Sequence, residues 1–188
     1  SSGNHGAAIA LACRLRGIPA TVVVPEGAPQ VKLEAIVGEG ARIVRCAPNM
    51  RARDAAVAEV VAETGVTLIH PFDHPDVIAG QGTAAMELLT THPTLDAIVA
   101  PVGGGGLLSG TGLASRTLSP RTQVWGAEPD AARDAYDSLA SGALITDRVP
   151  DTICDGLRGH LSPRTFTLMA VRVVARSEVW TMVSGSSS

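Results

Sequence analysis

An α/β fold with parallel sheets is predicted from three features. Short β-branched runs alternate with longer Ala- and Leu-rich stretches of helical period, the pattern left by successive βα units. The 188 residues are 45% hydrophobic but only 3% aromatic, so the core must be built from closely packed small side chains. Finally, the strand-like run ending at Val102 leads straight into Gly103-Gly104-Gly105-Gly106, a sharp strand-to-helix turn. Together these features predict two open parallel-sheet lobes.

Residues 6–16 have helical character up to Gly17. Thr21–Val24 is a buried strand closed by Pro25-Glu26-Gly27. A short amphipathic helix over 29–38 stops at Gly38 and Gly40, and Arg42–Cys46 is the next strand. Arg51–Thr64 places Ala55, Ala56, Val60 and Val61 on one helical face. Thr67–His70 is β-branched enough to predict a third strand. The Pro-rich crossing from His70 to Pro75 is the best boundary, dividing a first lobe over 1–72 from a second over 73–188. In the second lobe a helix is expected over Asp76–Thr91, a strand over Leu95–Ala100, a helix over Leu107–Thr117 and a strand over Gln123–Glu128. Helices over Asp130–Leu139 and Pro163–Val171 follow, then a last strand over Val179–Val183. Ser184–Ser188 has the composition of a flexible tail.

Composition excludes several function classes. The net charge of −3 and the few aromatic residues argue against nucleic-acid binding. No apolar run is long enough for a membrane helix. The three cysteines, Cys13, Cys46 and Cys154, are widely spaced without a CxxC pair. A reduced cytoplasmic protein with core cysteines is therefore expected, with neither a disulfide framework nor a zinc site.

Two glycine-containing motifs carry the chemistry. Four glycines without Cβ atoms let backbone N–H groups approach a phosphate, and the helix starting near Leu107 adds its positive end. No Gly-Lys-Ser/Thr follows, so this is not a Walker loop. A tight turn between packed elements is the alternative, although four consecutive glycines are entropically costly for that alone. Ser1-Ser2-Gly3-Asn4-His5-Gly6 also precedes a helix. It offers hydroxyl, amide and imidazole groups where a carboxylate is stabilised, or else a simple helix cap.

These motifs, in order with Val22-Val23-Val24-Pro25, Ala79-Gly80-Gln81-Gly82-Thr83 and Ala127-Glu128-Pro129, resemble the fold-type II pyridoxal-phosphate (PLP) enzymes. The branch is that of serine/threonine dehydratase (threonine ammonia-lyase) and serine racemase, with a tryptophan-synthase-beta-like fold of which this chain is an incomplete fragment. The resemblance implies that Gly103, Gly104, Gly105, Gly106 and Leu107 hold the cofactor phosphate. It places Asn4 on the ring hydroxyl and Gly156 beside the ring. Ser1, Ser2, Asn4 and His5 would bind the substrate carboxylate. Ser2 would stand on the face used for acid–base work by racemases. Glu128, the Ala132 carbonyl and Asp134 are similar to the branch's Mg²⁺ or Ca²⁺ site, with helix capping by Asp130 as the alternative for the acidic stretch and Arg133 an unusual neighbour. Oxygen donors suit either ion.

Lys32 is the only lysine and belongs to neither motif. The resemblance places the cofactor-carrying lysine before Ser1 and the partner of the pyridine nitrogen beyond Ser188. Lys32 itself is expected on the surface, as are His74, His92 and His160. Phe72 points to a dehydratase over a racemase, or is a core aromatic at the domain junction. The implied activity is L-threonine/L-serine dehydration to a 2-oxo acid and ammonia, in a homodimer or homotetramer. Serine racemase and a non-catalytic PLP- or phosphate-binding fragment are the competing readings.

Overall fold

A computed structural model describes residues 3–172. The chain divides into two compact units, Ser1–Ile69 and His70–Ser188. The expected strand Val179–Val183 lies outside the described residues.

The first unit is a parallel strand pair with helices on both faces. Helix α1 (Asn4–Arg16) begins earlier than its apolar pattern suggests and ends at Gly17, whose φ of 64° turns the chain. The N–H groups of Gly17 and Ile18 close onto the carbonyls of Arg14 and Cys13, satisfying carbonyls that the helix end leaves open. Strand β1 (Thr21–Pro25) pairs in parallel with β2 (Arg42–Cys46), Val23 lying opposite Val44. Helix α2 (Gln30–Gly38) connects them. Helix α3 (Met50–Thr64) is capped by Asn49, whose side chain accepts the Ala52 N–H at 2.8 Å.

Alternation along β1 sorts the core. Val22 and Val24 pack with Ala10, Leu33 and Ile36 of α1 and α2, while Val23 packs with Cys46 and with Val60 of α3. A strand covered on both faces is continuously apolar, and Val-Val-Val is that signature. Thr67–His70, expected as a third strand, forms no strand. A β-branched run becomes a strand only beside a partner edge, and among the described residues none pairs with it.

The second unit opens with α4 (Pro75–Thr91), with Pro at its first position and the His74 imidazole accepting the Asp76 N–H. Strand β3 (Ala97–Pro101) pairs in parallel with β4 (Gln123–Ala127) through α5 (Gly106–Leu118). The core joins Ala100, Val102, Leu108, Val124, Ala135, Leu161 and Met169. The helix expected over Asp130–Leu139 is broken: a 3₁₀ turn at Asp130–Ala132 precedes α6 (Asp134–Ser141). Glu128 supplies the reason. Its carboxylate accepts the N–H groups of Ala135 (3.3 Å) and Tyr136 (2.8 Å), so the α-helix starts where that cap can reach. Helix α7 (Pro163–Arg172) closes the described chain.

The expectation of core cysteines holds only for Cys46. Cys13 is half-buried and Cys154 exposed, and all three are free thiols. Among the described residues no helix is long and apolar enough to cross a membrane.

Helices α4 and α5 meet at paired glycines. A Cβ on Gly110 would lie 2.6 Å from the Gly82 N and closer still to the Ile78 carbonyl oxygen, and one on Gly82 would lie 2.9 Å from the Gly110 oxygen. Backbone cannot yield as a flexible side chain does. Gly110→Ala should therefore destabilise the protein by about 2–3 kcal/mol despite alanine's better helix propensity, read as a lower urea midpoint at unchanged m-value.

Candidate active site

The β3–α5 turn is the centre of the second unit's candidate site. Gly103 (φ 51°) and Gly105 (φ 84°) occupy the left-handed region that side chains avoid. The Gly105 N–H is committed to the Val102 carbonyl at 2.9 Å, and the Gly105 carbonyl accepts the Ser109 N–H. Helix α5 has no side-chain cap, so its first-turn amides keep their outward donors. A strand end, two left-handed glycines and an uncapped helix N-terminus make an anion cradle.

Its walls come from three directions. A Cβ on Gly103 would meet the Gly156 carbonyl oxygen at 3.2 Å, and one on Gly105 would meet Leu161 Cδ2 at 2.7 Å and Thr165 Cβ at 3.0 Å. On Gly104 it would overlap the Phe72 ring, 2.5 Å from Cε1, and on Gly106 it would lie 2.9 Å from Phe72 Cβ. The structure thus brings Gly103–Leu107 and Gly156 together. It also adds Leu161 and Thr165, which carry no motif, and Phe72, expected to act in specificity or as a core aromatic rather than as a wall of this turn. The tight-turn alternative gains weight from this geometry, because each glycine has a packing reason of its own.

In the first unit, α1 also starts without a side-chain cap: Gly3 precedes it and Asn4 is exposed. The capping alternative for this motif is therefore not realised by Asn4. The His5 Nε2 donates to the Ile69 carbonyl at 3.0 Å, a bond between the start and end of that unit. Ser1 and Ser2 lie outside the described residues. Lys32, expected on the surface, is half-buried in α2.

An acidic cluster lies at the C-terminal end of β4. Glu128 and Asp134 are 7% and 2% exposed, rare burial for carboxylates. Burial pushes the Glu128 carboxyl up to about 7, against the stabilising Tyr136 and Ala135 amides, and the nearby Asp134 and Asp137 charges raise it further. Burial likewise raises Asp134, partly offset by attraction to His160 and Arg148. Among the described residues the buried Asp134 Oδ2 has no hydrogen-bond partner. Asp137, three residues on, pairs with Arg148 Nη1 at 2.5 Å and Arg133 Nε at 3.6 Å. His160, expected on the surface, is half-buried and bonds the Arg148 carbonyl through Nε2 at 2.6 Å. Asp137 was legible as an i+3 neighbour of Asp134; Arg148 lies in an irregular stretch that shows no period. Among the described residues no three His, Cys, Asp or Glu side chains group as a metal site.

The family model described as "Pyridoxal-phosphate dependent enzyme" matches residues 1–183. The chain belongs to that family. It is 48% identical over 174 residues to the L-threo-3-hydroxyaspartate ammonia-lyase of Saccharomyces cerevisiae, covering 92% of this chain and 53% of that protein. The maize serine racemase structure superposes with a TM-score of 0.89 at 42% identity, covering 92% of this chain and 53% of the other. A T.th. threonine deaminase structure gives 0.87 at 43% identity, covering 93% and 58%. The chain spans about half the length of the relatives it matches.

The residues present fit the cofactor of a pyridoxal-phosphate dependent enzyme. The side-chain-free cradle at β3–α5 suits a phosphoester, as its uncapped helix end suits a dianion. The orphaned Asp134 Oδ2 is likewise suited to a cation, since a buried carboxylate oxygen left unpaired is costly.

A pH dependence follows from Glu128. Its folded pKa lies above its ordinary 4.5, so the native state keeps a proton that the unfolded chain releases. That contribution is complete below about pH 4.5 and is lost as pH rises through about 7. With a chelator present, stability should fall by roughly 2–4 kcal/mol between pH 5 and 8. Glu128→Gln should flatten this slope in thermal melts.

Proposed function

We propose that the chain is the central part of a PLP-dependent ammonia-lyase that converts a β-hydroxy α-amino acid into a 2-oxo acid and ammonia. The substrate class comprises L-threonine, L-serine and 3-hydroxyaspartate. The observation that carries this is the walled, side-chain-free turn between β3 and α5, in a chain of this family. The similarity to a hydroxyaspartate lyase and a threonine deaminase supports the lyase chemistry.

When bound, the cofactor supplies an electron sink that acidifies the substrate α-carbon. The protein's part is orientation. The amides of Gly103, Gly104, Gly106 and Leu107 take the phosphate, with Gly105 setting the turn, and Gly156 leaves room for the ring. In the other unit Asn4 serves the ring hydroxyl, and Ser1, Ser2, Asn4 and His5 take the substrate carboxylate at the positive end of α1. The His5 bond to Ile69 fixes that ring's orientation. Glu128, the Ala132 carbonyl and Asp134 take Mg²⁺ or Ca²⁺, removing the penalty of the orphaned oxygen. Residues 1–72 form the smaller lobe and 73–188 part of the cofactor-binding lobe of a homo-oligomer.

Serine racemase is the second reading, favoured by the similarity to the maize enzyme; there Ser2 returns a proton to the opposite face of the α-carbon. In the intact protein, incubation with L-serine, L-threonine and L-threo-3-hydroxyaspartate should release 2-oxo acid and ammonia in excess over any D-amino acid. A predominance of D-serine would establish the racemase instead, and no turnover of any of the three would reject both. Asn4→Ala should lower kcat/KM by about 10–100-fold while leaving thermal stability within about 0.5 kcal/mol, because Asn4 is exposed.

A further inference from the structure

Four successive glycines are the most mobile backbone a chain can carry, so their amides hold an anion well only if something outside the loop fixes them. Helix α7 fixes Gly105 and the 155–157 turn fixes Gly103. Gly104 and Gly106 both pack on Phe72: an added Cβ on Gly104 would fall on its ring, and one on Gly106 would lie 2.9 Å from its Cβ, with Gln81 Nε2 next at 3.1 Å. Gly159 flanks the same ring, 3.6 Å from Phe72 Cε1 to an added Cβ.

The ring is itself held. The His70 and Phe72 rings meet edge-on, centroids 4.5 Å apart at 87°. His70 Nδ1 accepts the N–H groups of Asp73 (3.0 Å) and Phe72 (3.4 Å), fixing the backbone turn that carries the ring. Asp73 Oδ1 pairs with Arg164 Nε at 3.0 Å. That ion pair ties the Phe72 wall to α7, the element that closes the loop from the Gly105 side. With both groups partly exposed, it steers alignment more than it stabilises.

We propose that Phe72 is a positioning residue for the cofactor phosphate: wedged against Gly104 and Gly106, it pre-organises their amides. It acts on the phosphate end, through the loop, and makes no demand on the cofactor ring. This rests on the reading of Gly103–Leu107 as the phosphate site.

PLP and pyridoxal differ only in the phosphate, so comparing them isolates the effect. In the intact protein, Phe72→Ala should weaken PLP binding by about tenfold and pyridoxal binding by less than about twofold, measured by equilibrium dialysis. Phe72→Leu, which restores much of the apolar volume, should recover most of the loss. Equal weakening of both ligands would overturn the proposal, because a general loss of fold or a contact to the ring does that. Unchanged PLP affinity in Phe72→Ala would overturn it as well. If the unsubstituted protein binds pyridoxal as tightly as PLP, the phosphate reading of the loop itself falls. That outcome is distinct because it appears before any substitution is made.

Discussion

The second unit depends on the absence of side chains between Val102 and Leu107. Three separate pieces of chain reach the backbone there: the His70–Asp73 crossing, the 155–157 turn and α7. A methyl group on Gly104, Gly105 or Gly106 would collide with one of them, and one on Gly103 would press on the Gly156 carbonyl oxygen at 3.2 Å. The same device recurs about one turn along α5, where Gly110 lets α4 approach until backbone meets backbone at Gly82. Helix α5 is thus located at its N-terminus by the loop's walls and at its middle by α4. A helix held this way keeps its first-turn amides in fixed positions, which loop packing alone does not guarantee.

Charge at the end of β4 follows a different logic. Glu128 directly follows β4 and at once satisfies the opening amides of α6, so one carboxylate acts as a cap while buried. That geometry leaves Asp134, the first residue of α6, with one oxygen that has no hydrogen-bond partner among the described residues. Asp137 is answered by Arg148 and Arg133, whereas Asp134 has the attraction of His160 and Arg148 at longer range and its own backbone N–H. The cluster is therefore electrostatically incomplete at one atom. A divalent cation and a proton are the two ways to complete it, and the raised carboxyl pKa values express the second.

Much of the fold was legible because its signals are local. Val22-Val23-Val24 announces a strand covered on both faces, and Gly17 and Gly65 end helices by adopting positive φ. Where the outcome depended on a partner, local reading failed: Thr67–His70 has strand composition but no neighbouring edge among the described residues. The break in the 130–139 helix was hidden for a related reason. It is imposed by a side chain at position 128, outside the helical pattern. The tetraglycine, Asn4 and the Glu128/Asp134 pair could be found by motif. Leu161 and Thr165 could not, and Phe72 stood out only as a specificity hint or core aromatic, because a wall is defined by what it touches, and that is a property of the fold.

The glycines also show why motif counting and packing must be weighed together. Entropic cost alone argues for a ligand at four consecutive glycines. The structure supplies each one with a steric cause, so glycine number by itself does not distinguish a phosphate cradle from a crowded corner. Polarity separates the two. A crowded corner would commit its amides to carbonyls, as Gly105 does with Val102. A cradle keeps donors facing outward at an uncapped helix end, as α5 does. Packing explains why residues 103–106 have no side chains, and the uncapped helix end is what the proposed phosphate site rests on. Phe72 belongs to both accounts: its ring forbids a Cβ at Gly104, and on the proposed reading it also holds that amide toward the phosphate.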